Sequence, residues 1–126
     1  MSFATNLYTL MIGDISINAE IDGGIYYENL PDNFDIKRKW ILYFFSRGEQ
    51  IDCMGYKNAY TVYEVTAIIF TQTTTQLDNL TTLLIEYLNG NTTGSIQDIN
   101  FQSDGHSYDP EKKLYTNTLT FKAIFG

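Results

Sequence analysis

Basic charge, cysteine, histidine and proline are all scarce in this chain of 126 residues. Fifteen acidic residues against eight basic ones leave a formal net charge of −7. A protein that grips nucleic acid needs Lys and Arg to displace counterions from phosphates, so this balance argues against that class. The one basic run, Lys37-Arg38-Lys39, is too small for a nucleic-acid footprint and reads as a solvated approach to the strand at Trp40. A single cysteine, Cys53, excludes an intrachain disulfide, and with a single histidine, His106, it falls short of a zinc ligand set. No apolar run nears the roughly 18 residues that a bilayer crossing requires. The first residues, MSFATNLYTL, lack the basic start and apolar core of a secretion signal. The expectation is a protein without membrane association, made and used without export. On that reading the sequons at Asn79 and Asn91 carry no glycan.

Catalytic motifs are absent too. The chain has no P-loop and no dinucleotide fingerprint. Cys53 and His106 could meet in space, but neither sits in a nucleophile context. Cys53, in IDCMGY, reads as a small packing residue, and His106 as part of a hairpin turn. Asp104 and Asp109 flank a glycine-containing segment whose offsets do not match an EF-hand, so a solvated hairpin tip is expected there. The sequence therefore predicts no catalytic residue, no cofactor and no metal.

Aromatic residues are what the chain has in excess: ten Tyr, eight Phe and one Trp. Tyrosine joins an apolar body to a polar tip, which suits half-buried strand faces and subunit contacts. At this length the chain fits one domain, residues 1–126, able to bury roughly two thirds of its unfolded surface. Phe3, Leu7 and Leu10 recur at helical spacing near the start. Ile15, Ile17, Ala19 and Ile21 fit either a strand or a second helical turn, and periodicity does not decide between them. Ile25 to Asn29 reads as a short strand stopped by Leu30-Pro31.

Trp40 to Ser46 is apolar on both alternating faces and predicts a strand covered on both sides. Arg47-Gly48-Glu49-Gln50 reads as a turn, and the next strand candidate begins at Asn58. In YTVYEVTAIIFT, Tyr63, Val65, Ala67 and Ile69 form one apolar face. Thr73 with Gln76 offers a capping box, and Leu77, Leu80, Leu84, Tyr87 and Leu88 form a helical stripe ended by Asn89-Gly90. The last third reads as a hairpin turning through Asp-Gly and Asp-Pro, with Leu119, Phe121, Ala123 and Phe125 on one face of the final strand. Runs of adjacent strands make the expected fold α+β. It would be a mainly antiparallel sheet of four to five strands, packed by an N-terminal helix and one central amphipathic helix.

The order of a short helix, GGIYYENLP, a gap and KWILYFFS resembles the tail-terminator or tail-completion (head–tail joining) proteins of tailed bacteriophages. The likeness continues through YTVYEVTAIIFTQ, the TTTQLDNLTTLLIEYLNG helix and the closing YDPEKKLYTNTLTF hairpin. The resemblance implies a structural virion protein that catalyses nothing. It further implies a homo-oligomeric ring, commonly a hexamer, at the head-proximal end of the tail. Such a ring contacts tail-tube protein on one side and neck or connector proteins on the other, and is made in the host bacterial cytoplasm. DNA would pass without specific binding, and an acidic wall would repel its phosphates.

In such a ring, sheet edges and aromatic positions would meet the neighbouring copies. Tyr26, Tyr27, Leu30 and Pro31 are candidates for one contact region, and His106, Tyr108 and Pro110, expected at the hairpin tip, for the other. Packing within the monomer, or a solvated loop, is the competing explanation for each. Other roles also fit: a neighbouring neck, connector or tail subunit, or a small acidic inhibitor or immunity-type module steered to a basic partner. A ligand-binding α+β enzyme would need a polar pocket that the sequence does not reveal.

Overall fold

The computed structural model describes residues 2–32, 34–35, 37–53, 56–92 and 94–126, and the side chains of residues 15 and 51–59 lie outside that description. Serine 2 starts the first helix, α1 (Phe3–Met11), by accepting a hydrogen bond from Thr5 N–H. Phe3, Leu7, Leu10 and Met11 all turn inward from it. The ambiguous isoleucine run is a second helix, α2 (Ile15–Glu20), capped by Asp14, whose carboxylate accepts from Ser16 and Ile17 N–H. A third helix, α3 (Thr74–Leu88), buries Leu77, Leu80, Leu84 and Leu88 as its stripe predicts. Half of the expected capping box is formed: Thr73 Oγ1 accepts from Gln76 N–H at 3.2 Å.

The strands are β1 (Gly24–Tyr27), β2 (Trp40–Cys53), β3 (Tyr56–Thr71), β4 (Ile96–Asp109) and β5 (Leu114–Phe125). They form one sheet in the order β1-β2-β3-β5-β4. Three of its pairings are antiparallel, but β1 runs parallel to β2 with Gly24 beside Trp40. The sheet is therefore mixed, within the α+β class expected. Residues 28–39 carry the chain back so that β2 starts level with the start of β1. Glu28, at φ 65, begins that return, and its N–H donates to Tyr43 C=O at 2.9 Å.

All three helices pack on one face. Ile41, Tyr43, Val65, Ala67, Ile69, Leu119, Phe121 and Ala123 alternate along the strands and join the helix residues in one core. Phe3 stacks on Tyr63 with ring centroids 3.8 Å apart, which pins α1 against the middle of the sheet. Two polar ties hold the helices in place. The Tyr87 hydroxyl donates to Leu10 C=O at 2.6 Å. Buried Asn6 donates to Ser2 C=O and accepts from Ser95 N–H, joining α1 to the approach of β4. Gly94, at φ +57, allows this because a Cβ there would run into Asn6 Oδ1.

Three local expectations are corrected. Arg47 to Gln50 is not a turn: β2 continues through it, with Arg47 opposite Tyr63 and Gln50 opposite Thr61. One extra residue is absorbed there as a bulge, which polar Gly-containing sequence accommodates. Trp40 to Ser46 is not covered on both sides. Trp40 is shielded by Phe34 at 4.9 Å, but Phe44, on the helix-free face, is 39% exposed. Asp104-Gly105 is not a hairpin turn either. It lies within β4, so His106 and Tyr108 are strand residues and not tip residues. The turn follows Asp-Pro instead: Asp109 Oδ1 accepts from Glu111 and Lys112 N–H, and Lys113 takes φ 53.

Candidate assembly surface

The two regions singled out in the sequence fall at opposite edges of the sheet. Tyr26 and Tyr27 are on edge strand β1, with Leu30 and Pro31 half-buried in the segment that follows. His106 and Tyr108 are on the other edge strand, β4, and Pro110 is exposed in the turn beyond it. Successive strand residues face opposite ways, so Tyr26 and Tyr27 do not share a face. Tyr26 lies on the helix-free side with its ring 5.6 Å from Trp40, whereas Tyr27 turns to the helix side near Tyr43 and Phe45. His106 and Tyr108 do share a face, the helix side, where Tyr108 packs on Tyr115 at 4.5 Å.

Strand β4 is sealed along one half and open along the other. Near its start, Ile99 C=O accepts from Gly90 N–H at 2.7 Å and Phe101 N–H donates to Asn89 Oδ1 at 2.9 Å. The end of α3 thus caps the Ile99 carbonyl and the Phe101 N–H, while Ile99 N–H donates to Asp98 Oδ1. A register shift between Phe101 and Ser103 then changes the phase. Beyond it, Ser103, Gly105 and Ser107 face Thr120, Thr118 and Thr116 of β5, and Asp104, His106 and Tyr108 point their main-chain groups outward. Residues 102–108 are all exposed. Among the described residues no main-chain partner meets those outward groups. Such an edge is a template for another strand.

Side-chain chemistry along this edge is sparse. Asn117, fully buried on β5, donates to Thr81 Oγ1 at 2.8 Å and to Asp104 Oδ2 at 3.2 Å. That bridge ties α3 to both strands and fixes where Asp104 sits; the Asn117 Oδ1 itself has no partner among the described residues. His106 Nε2 lies 3.9 Å from Asp78 Oδ1, both well exposed. These two line a shallow groove with Thr74, Leu77, Tyr108 and Tyr115. Ser107 lines it too, and among the described residues no hydroxyl is hydrogen-bonded to His106. His106 is level with Ile41 across the sheet, and Cys53 is about a dozen residues further along β2, roughly 35–40 Å at strand rise. The Cys–His dyad therefore does not form.

Among the tyrosines, burial pushes the Tyr43 hydroxyl up to about 12, with a smaller contribution from nearby Tyr8 and Tyr27. Tyr27, at the β1 edge, is raised by partial burial and then by Glu28. None of these groups is poised to exchange a proton near neutral pH. The basic run Lys37–Lys39 sits beside the start of β1, where Lys39 N–H donates to Asp22 Oδ1 at 2.7 Å and its Nζ to Glu20 at 3.3 Å. Among the described residues, no helix is long and apolar enough to cross a membrane.

The open edge was legible only in part. Gly105 was read as a turn signal, yet it sits in a strand where a Cβ would meet no atom within 4 Å. A strand glycine goes with a bulge or with close approach of another backbone, and only the structure shows that Gly105 is a strand residue with a bulge just before it.

No protein-family model and no curated protein matches the sequence. Among solved structures, the fold is similar to that of a chain in the virion of a native gene transfer agent particle, with a TM-score of 0.69 and 12% sequence identity, and the match covers 99% of this chain and 96% of that one.

Proposed function

We propose that this protein is a structural subunit of a phage-like virion. In this reading it forms a homo-oligomeric ring, commonly six copies, at the head-proximal end of the tail. The ring stops growth of the tail tube and presents a surface to the neck, and the chain acts as one domain with no reaction to catalyse. The observation that carries the reading is the shared fold with a chain of a gene transfer agent virion over nearly the whole of both chains. The sequence supports it independently through the order of elements and a composition rich in tyrosine and poor in Cys and His. An acidic net charge of −7 suits a channel wall past which DNA slides without binding.

The test is assembly of tail-tube protein with and without this chain, with tube length measured by electron microscopy. Tubes of arrested length, carrying a ring at one end, are expected. Unchanged tube length would exclude termination and favour a neighbouring neck or tail position. Failure to bind either tube or neck proteins, with a monomeric mass at high concentration, would favour the small acidic binding module instead.

A further inference from the structure

The two free edges of the sheet occupy the same level. Following the register across the strands, Gly24 is level with Trp40, Phe70, Thr116 and Ser107, and Tyr27 with Tyr43, Ala67, Leu119 and Asp104. The four residues of β1 therefore lie level with Asp104–Ser107, within the uncovered half of β4. The directions also suit each other. Since β1 is parallel to β2 and the three remaining pairings are antiparallel, β4 runs opposite to β1.

We infer that the open half of β4 in one copy pairs antiparallel with β1 of the next, continuing the sheet from subunit to subunit. This rests on the ring reading above and names the contact that closes it. With copies at the same level, Ile25 faces His106, Tyr26 faces Gly105 and Tyr27 faces Asp104. The main-chain phases agree. The bond from Glu28 N–H to Tyr43 sets Gly24, Tyr26 and Glu28 toward β2, leaving Ile25 and Tyr27 to face outward. Ile25 and His106 exchange two hydrogen bonds in this arrangement. Tyr27 N–H reaches the Asp104 carbonyl, while the Tyr27 carbonyl already accepts from Asn29 at 2.8 Å.

The faces agree as well. Ile25 and Tyr27 point to the helix side, as do Asp104 and His106, and the groove beside Asp78 and Tyr108 opens on that side. Tyr26 and Gly105 both point to the helix-free side. Gly105 then lies directly across from the neighbour's Tyr26, and its missing side chain leaves that face of the pairing unobstructed. Exposed Lys37, before the start of β2, is on the side of the contact where Tyr108 and Asp109 lie. The contact joins two different surfaces, so it does not stop at a dimer and yields a ring where the rotation between copies closes.

Facing residues that are not hydrogen-bonded to each other have Cα atoms about 4.5 Å apart, within disulfide reach. The double variant Tyr26→Cys, Gly105→Cys should give, after mild oxidation of the assembled protein, a ladder of cross-linked species up to the closed ring. Either single variant, which still carries Cys53, should give none. In parallel, His106→Pro removes an outward N–H while leaving the bonds to β5, so it should fold normally by circular dichroism and lose ring formation at least tenfold in concentration dependence. If the wild type caps tubes and forms rings, but the double variant yields no ladder and His106→Pro assembles normally, this pairing is overturned and the ring reading stands. If the wild type neither caps tubes nor assembles on them, both fall.

Discussion

The two halves of β4 pair with the same strand yet are built for different ends. From Ile96 to Phe101 the strand is closed: Ile96 and Ile99 are buried, Gly90 N–H meets the Ile99 carbonyl and Asn89 accepts from Phe101 N–H. From Gln102 to Tyr108 every residue is exposed and the outward groups of Asp104, His106 and Tyr108 are open. A long exposed edge offers its main-chain groups to another strand. The difference teaches that closure by the end of α3 serves the protomer, whereas the open stretch is the part of the edge that the proposed assembly would use.

Changes in the closed half should therefore cost folding, and changes in the open half should cost assembly. The largest folding effect is expected from Ile99→Ala, which empties a fully buried site and should destabilise the monomer by about 2–5 kcal/mol in denaturant titration. Asn89→Ala should cost about 1 kcal/mol by the same measurement, because it removes the hydrogen bond from Phe101 N–H. A third effect appears only in alkali. The Tyr43 hydroxyl holds its proton to about pH 12, against about 10 when unfolded, so the unfolded chain releases the proton first in between. That contribution to stability is intact below pH 10 and is lost as pH climbs toward 12. Tyr43→Phe should flatten the alkaline decline seen in thermal unfolding, and an unchanged slope would show that this hydroxyl is not its source. The smallest effect belongs to the open half: His106→Ala should move monomer stability by no more than about 0.5 kcal/mol. A large loss there would show that the open half also supports the protomer.

The same contrast explains what the sequence disclosed. Elements that bury one face announced themselves, because burial imposes periodicity: Val65, Ala67 and Ile69 on β3, the Leu77–Leu88 stripe on α3, and Leu119 to Ala123 on β5 were all readable. Strand direction leaves no periodic trace, so nothing in Ile25 to Tyr27 signalled a parallel neighbour. Ile15 to Ile21 was too short for periodicity to decide, though Asp14 as a helix cap was the better clue. Polar composition misled at Arg47–Gln50 and again at Asp104-Gly105. Exposed strand and turn draw on the same residues when no core lies beneath them. Candidate contact residues at both edges came from composition and from resemblance, and only the strand register reveals that the two edges match.

Amide hydrogen exchange at individual residues, compared between free and assembled protein, tests the difference between the halves of β4 most directly. Phe101 N–H should be protected in both states, while His106 N–H should exchange freely in the monomer and become protected on assembly. A His106 amide that still exchanges freely in the assembled ring, or is already protected in the free protein, would contradict the account.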